Sequence, residues 1–126
     1  MLKPMREFND HKIWWDEALG IARASAIGTI DEPAARFILL ETARIAQQNS
    51  ENVDWIIDLH LMTKVTPKAR KILAEASGYP SIRKYAFVGA STFIRTIANS
   101  IAAAAGQKNA RHYATEQEAL IWLQEE

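Results

Sequence analysis

Cysteine is absent from this sequence of 126 residues. Disulfides, thiolate metal sites and cysteine nucleophiles are therefore excluded. A cysteine-free chain suits a reducing compartment, and the expectation is a cytoplasmic protein. Net charge is absent too: 15 basic side chains balance 15 acidic ones. Nucleic acid and anionic membrane both select for basic surfaces, so neither is an expected partner. No apolar run approaches the roughly 20 residues that span a bilayer. The opening stretch carries Lys3, Arg6, Glu7 and Asp10 and has no apolar segment like that of a secretory signal. Glycine and proline are scarce, 5 and 4 residues, and no linker or low-complexity run separates parts of the chain. They act instead as local punctuation of turns and helix starts.

What the sequence does contain is one domain's worth of alternating strand and helix patterns. Hydrophobic residues make up 48% of the chain, enough for a core of ordinary size. Residues 1–10 are expected to be a loosely held terminus, and 11–126 a single domain. Lys12 to Trp15 reads as a strand, Asp16 to Leu19 as a turn, and Gly20 to Ile27 as the returning strand. In that strand Ile21 and Ile27 are expected on one face, and Ala22, Ala24 and Ala26 on the other. Asp31 is an N-cap with Pro33 in the first turn, opening a helix to Gln48 whose Phe37, Ile38, Leu40 and Ile45 would face the sheet. Val53 to Leu59 is apolar and β-branched, as a strand covered on both faces is.

Thr66-Pro67 starts the next helix, with Ala69, Ile72, Leu73 and Ala76 on one face. Arg83 to Val88 is a strand. Ile94, Ile97, Ala98, Ile101, Ala102 and Ala105 form the stripe of a third helix closed by Gly106. A short strand over Ala110 to Ala114 follows, then a capping box, Thr115 with Glu118, ahead of a last helix buried through Ala119, Trp122 and Leu123. The order β-β-α-β-α-β-α-β-α predicts an α/β fold. Its mixed sheet would have about five strands, parallel through right-handed crossovers after an opening hairpin, with four helices.

This order resembles the STAS-like (SpoIIAA-like) family, the fold of bacterial anti-sigma-factor antagonists. The residues that carry the likeness are Ile27-Gly28, Trp55-Ile56-Ile57-Asp58, Lys84-Tyr85-Ala86-Phe87-Val88-Gly89, and Thr115, Glu118-Ala119-Leu120 and Trp122-Leu123 at the close. The resemblance covers roughly residues 11–124. It implies a non-enzymatic regulatory module that binds a protein partner, switched in well-known members by phosphorylation of a serine where a helix follows the central strand. The matching segment here runs from Asp58 to Pro67 and lacks an Asp-Ser-Ser-Gly-like pattern. Its hydroxyls are Thr63, placed in a loop, and Thr66 at the helix start, and these are the candidate switch residues. Other family members are thought to bind apolar ligands or lipids, which makes a carrier or sensor the second reading.

Other candidates come from the residues themselves. Asp58, His60 and Ser91 fall at carboxyl ends of expected parallel strands, where α/β proteins bind ligands. As a nucleophilic triad they would define a hydrolase, the third reading, but no Gly-x-Ser-x-Gly elbow surrounds Ser91. With Gly89 and Thr92 the same edge could cradle an anion on backbone N–H groups. His11, His60 and His112 are scattered without metal-ligand spacing, so no metal or other cofactor is expected, and His60 is read as solvated in a polar loop. Trp14 and Trp15 are adjacent in a strand and must point to opposite faces. One of them is a candidate for a homodimer or ligand interface.

Overall fold

Among the described residues, six strands form one mixed sheet in the order in which they occur along the chain: β1 (Arg6–Phe8), β2 (His11–Asp16), β3 (Ile21–Ile30), β4 (Val53–Val65), β5 (Ile82–Val88) and β6 (Ala110–Tyr113). The described residues also form four helices, which connect or follow the strands: α1 (Glu32–Gln48), α2 (Pro67–Ser77), α3 (Thr92–Ala104) and α4 (Glu116–Gln124). The computed structural model describes residues 5–49 and 52–125. The first three strands are antiparallel neighbours, and β3 through β6 run parallel.

Three successive right-handed crossovers in one direction place α1, α2 and α3 on the same face of the sheet. The main core lies there, with Ala34, Ala35 and Ile45 of α1, Ala69 and Ile72 of α2, and Ile94, Ile97 and Ala98 of α3 packed on Ile13, Ala22, Trp55 and Ile57. Only α4 crosses to the other face, where Ala119, Trp122 and Leu123 cover Ile21, Ile56 and Ala86.

The helix starts follow their caps. Asp31 Oδ1 accepts from the Ala34 N–H at 3.1 Å, Thr66 Oγ1 from Ala69 at 3.3 Å, Ser91 Oγ from Ile94 at 3.2 Å and Thr115 Oγ1 from Glu118 at 3.3 Å. Each cap satisfies one of the free N–H groups of a first helical turn. Side chains from the sheet also pin both ends of α4. Arg23, itself held by Asp16 at 2.8 Å, reaches Glu116 in the first turn. At the other end Arg83 Nη2 donates to the Leu123 carbonyl at 2.8 Å and Lys84 Nζ to the Trp122 carbonyl at 2.7 Å. Acid at the N-terminus and cations at the C-terminus both suit the helix dipole.

Two expectations need correction, and the opening segment adds a strand. Within residues 1–10, Arg6–Phe8 form β1, where Phe8 finds a stacking partner in Phe37 of α1, ring centroids 5.7 Å apart, and residues 1–4 lie outside the described residues. With β1 the sheet has six strands among the described residues, in keeping with the expected number of about five. Leu40 points away from the sheet, 68% exposed. It lies two residues from Ile38, about 200° around the helix at 3.6 residues per turn. Ile27 is 38% exposed, because the α4 cluster that covers Ile21 does not reach it.

The last correction concerns β4, which continues past Leu59 to Val65 and so holds His60 and Thr63 in a strand instead of a loop. Its buried positions explain why. Val53, Trp55, Ile57 and Leu59 alternate, and then Met62 and Val65 follow at every third residue. Two register shifts, at Ser25/Ile27 and Gly28/Thr29, give β4 one extra residue each time. Such bulges twist a strand and re-aim its side chains. Leu59, Met62 and Val65 therefore stay inward while the pairs His60–Leu61 and Thr63–Lys64 face out. His11 supports the first bulge from the neighbouring strand. The Ile27 N–H donates to His11 Nδ1 at 3.3 Å, and His11 Nε2 donates to the Thr29 carbonyl at 3.2 Å. The imidazole, 2% exposed, thus bonds two polar backbone groups beside the shift, whose burial without partners would cost about 1–3 kcal/mol each.

Candidate functional site

The sheet ends unevenly at the carboxyl side. β5 stops pairing at Val88, opposite Asp58, while β4 runs on beside β3 as far as Val65 opposite Ile30. The overhang is a ledge that carries His60, Leu61, Thr63 and Lys64 on its exposed positions. The strand order never reverses, so this edge has no topological switch point and none of the crevice that goes with one.

Asp58 and His60 are brought together there. His60 Nδ1 lies 2.6 Å from Asp58 Oδ1, which also accepts from the His60 N–H at 3.0 Å. Gly89 packs against the same histidine. Its φ is +76°, and a Cβ placed on it would lie 2.7 Å from His60 Cβ. Ser91 is near in sequence, but its hydroxyl is occupied in capping α3. No hydrogen bond joins Ser91 to His60 among the described residues, so the triad does not assemble. Thr92 is exposed at the first turn of α3.

The two candidate switch hydroxyls differ. Thr66 is half-buried and already accepts a bond as the cap of α2, and its own N–H donates to the Ile30 carbonyl at 3.0 Å. Thr63 sits on the extra residue of the second bulge, exposed, with no hydrogen bond to its hydroxyl among the described residues. Lys64 lies beside it. Thr66 instead neighbours the acidic start of α1, where Asp31 caps the helix and Glu32 lies 3.9 Å from Lys68.

The tryptophans separate as their spacing requires. Trp15 packs against the main core. Trp14 is half-buried on the α4 face, next to Arg23 across the strand pair and outside the α4 cluster.

Polar groups sparse in the sequence pattern prove well used. Burial pushes the Asp16 carboxyl up, but the Arg23 hydrogen bond, the Leu19 N–H and the Arg23 charge outweigh it and hold the group below its usual range. Burial raises the Tyr85 phenol to about 12, against a smaller opposing effect of Ser77. His112 stacks on Phe87 at 4.8 Å and bonds Asn99 through Nε2 at 3.0 Å, leaving Nδ1 buried without a partner. Burial first, and the Arg95 charge second, lower its pKa below 6.5.

His112 consequently stays neutral in the folded chain where the unfolded chain already binds a proton. The contribution of this imidazole to stability is full above about pH 6.5 and is lost as the pH drops through the folded value. Urea midpoints measured from pH 7.5 downward should decline less steeply in His112→Gln than in the parent chain. Parallel slopes would show that the imidazole is not responsible.

A cavity of about 70 Å³ lies in the main core beside His11, Ala24, Met62, Leu73, Tyr85 and Ile101. It is smaller than the roughly 150 Å³ of a cavity that holds benzene. Among the described residues no helix is long and apolar enough to cross a membrane, and no group of three or more potential metal ligands occurs.

A mixed sheet wound in one direction, three helices on one face and one on the other, defines the class of STAS-like α/β domains. The chain belongs to the SpoIIAA-like family, whose model matches residues 21–124. Two solved structures share the fold. One is an uncharacterized DUF3478-family protein with a SpoIIAA-like fold from Shewanella loihica PV-4, with TM-score 0.63 and 13% identity over 95% of this chain and 90% of that one. The other is the anti-sigma factor antagonist SpoIIAA in its unphosphorylated form, with TM-score 0.57 and 13% identity over 95% of this chain and 96% of that one. No curated protein matches the sequence.

Proposed function

We propose that the chain is a non-enzymatic, cytoplasmic regulatory module that binds a protein partner at the ledge and the adjoining start of α2, under control of phosphorylation at Thr63. The observation that carries this reading is the exposure of the Thr63 hydroxyl, without a hydrogen-bond partner among the described residues, on a strand fixed by two bulges in a member of the SpoIIAA-like family. A kinase can reach that hydroxyl without undoing a helix cap, which modification of Thr66 would require. A phosphate there adds up to two negative charges to a surface shared with Lys64, enough to change which partner it attracts.

The test is site-resolved mass spectrometry of the chain isolated from its native host in several growth conditions. The expected result is a phosphoryl group on Thr63, lost in Thr63→Val and kept in Thr66→Val. An unmodified chain in every condition, or modification confined to Thr66, would refute the switch at Thr63.

The carrier reading has less support. An acyl chain does not fit a cavity of about 70 Å³ unless α1, α2 or α3 moves away from the sheet. Native mass spectrometry separates the two: a carrier keeps a lipid mass, and the partner module does not.

A further inference from the structure

Helices α2 and α3 lie side by side over the sheet with an open groove of about 300 Å³ between them. Its walls and floor are Arg70, Lys71 and Ala74 from α2, and Ser100, Ile101 and Ala104 from α3. The α3 wall is made of small or apolar side chains. Phe93 precedes Ser100 by seven residues, two helical turns, so it stands on the same flank of α3, and it is 63% exposed. The groove therefore has an apolar floor, an aromatic side chain toward one end and two cations on the opposite wall.

The charge is one-sided. Residues of α2 include three cations, Lys68, Arg70 and Lys71, and a single acid, Glu75. Those of α3 include one cation, Arg95, and no acid. Neither Arg70 nor Lys71 has an ion-pair partner among the described residues, although the whole chain carries equal numbers of acids and bases. Elsewhere on the surface arginines do find carboxylates, as Arg36 does with Glu32 and Arg44 with Glu41.

We propose that the α2–α3 groove seats an acidic amphipathic helix of a partner protein. This rests on the reading of the chain as a partner-binding module and adds the partner's chemistry. Leucine-like side chains at i, i+3, i+4 and i+7 of the incoming helix fill the apolar floor and meet Phe93. Carboxylates along its rim pair with Lys71 and, in a two-pronged manner, with the Arg70 guanidinium. The small side chains at Ala74, Ser100 and Ala104 let the partner backbone approach closely. The concave site of about 300 Å³, walled on two sides, matches a protruding protein segment better than a planar bilayer surface.

The test begins with selection of a phage-displayed library of helical peptides against the intact chain. The recovered peptides are then synthesised and used as the probes. They are expected to be rich in Glu and Asp around spaced leucines. Arg70→Glu with Lys71→Glu should weaken their binding at least about tenfold, with the effect largest at low salt. Lys12→Glu, on a strand remote from the groove, should not. Both groove cations are exposed, so the double variant should keep the parent's thermal midpoint and circular dichroism.

Recovery of neutral or basic peptides, or binding that survives the double reversal, overturns the proposal. So does capture of the chain by phosphatidylglycerol vesicles when no peptide is recovered. A native partner that still binds the double variant would reject the groove but leave the partner-module reading standing. The absence of any protein partner from native cells would remove that reading itself.

Discussion

Replacing Trp122 with alanine is expected to cost about 3–5 kcal/mol and to release α4 while α1, α2 and α3 stay packed. The indole is 6% exposed, in a cluster on the opposite side of the sheet from the main core. It is held by Tyr113, with ring centroids 5.8 Å apart, and by two cations, Lys84 and Arg111, each 5.0 Å from its ring. Truncation removes the largest apolar surface of α4 and leaves those two cations without an aromatic face, a smaller loss of about 0.5–1 kcal/mol apiece. The carbonyl bonds from Arg83 and Lys84 remain possible but no longer have a packed helix to fix.

Because the sheet separates the two clusters, the damage should be local. Hydrogen exchange in Trp122→Ala should quicken in residues 116–124 far more than in α1. Arg111→Ala, which spares the indole, should leave α4 protected. Equal loss of protection in α1 and α4 would mean that the two faces unfold as a unit and that the layering has no separate stability.

The helices were legible because each has a continuous stripe and a strong cap. Asp31, Thr66, Ser91 and Thr115 are short oxygen-bearing side chains placed just ahead of an apolar periodicity, and all four cap as their positions require. Parallel pairing of β3 through β6 followed from the alternation of strand and helix. The fold family was legible for the same reason, since order and spacing survive where individual motifs do not.

Bulged strands were not legible. A period of two is the signal for a strand, and the bulges in β4 turn it into a period of three at Leu59, Met62 and Val65. That spacing resembles neither a regular strand nor a helix face, so His60 and Thr63 looked like loop residues. The clue was the run of apolar positions at Leu59, Met62 and Val65 with the pairs His60–Leu61 and Thr63–Lys64 between them. His11 was hidden for a related reason. Its two hydrogen bonds go to backbone groups of β3 that lie beyond the end of its pairing with β2 at Ser25, and backbone groups leave no mark in a sequence. Asp58 and His60 could be grouped because they share a strand end. The α2–α3 groove could not be seen, because it depends on how closely two helices approach, which the stripe of each helix alone does not specify.

Gly89→Ala is the second large effect expected, about 2–5 kcal/mol, and it tests the site as well as the fold. Two separate terms contribute. The backbone at Gly89 has φ +76°, where a Cβ costs about 1–2 kcal/mol. The new methyl would also lie 2.7 Å from His60 Cβ, forcing β4 and the start of α3 apart at about 1–3 kcal/mol more. Gly106 isolates the first term. Its φ is +71°, but no atom lies within 4 Å of the position a Cβ would take, so Gly106→Ala should cost the backbone strain alone.

The second term can be isolated with His60→Gly, which removes the atom that is struck. Combined with Gly89→Ala it should recover the steric part and none of the strain, so the two substitutions are expected to be non-additive by roughly 1–3 kcal/mol in urea denaturation. Additive losses would mean that His60 does not stand over the Gly89 turn, and the ledge that presents Thr63 would then lack the contact that sets it against α3. Coupling of the expected size would instead show that the bulged overhang of β4 bears directly on the turn between β5 and α3, the contact a modification at Thr63 needs in order to be felt at the neighbouring helices.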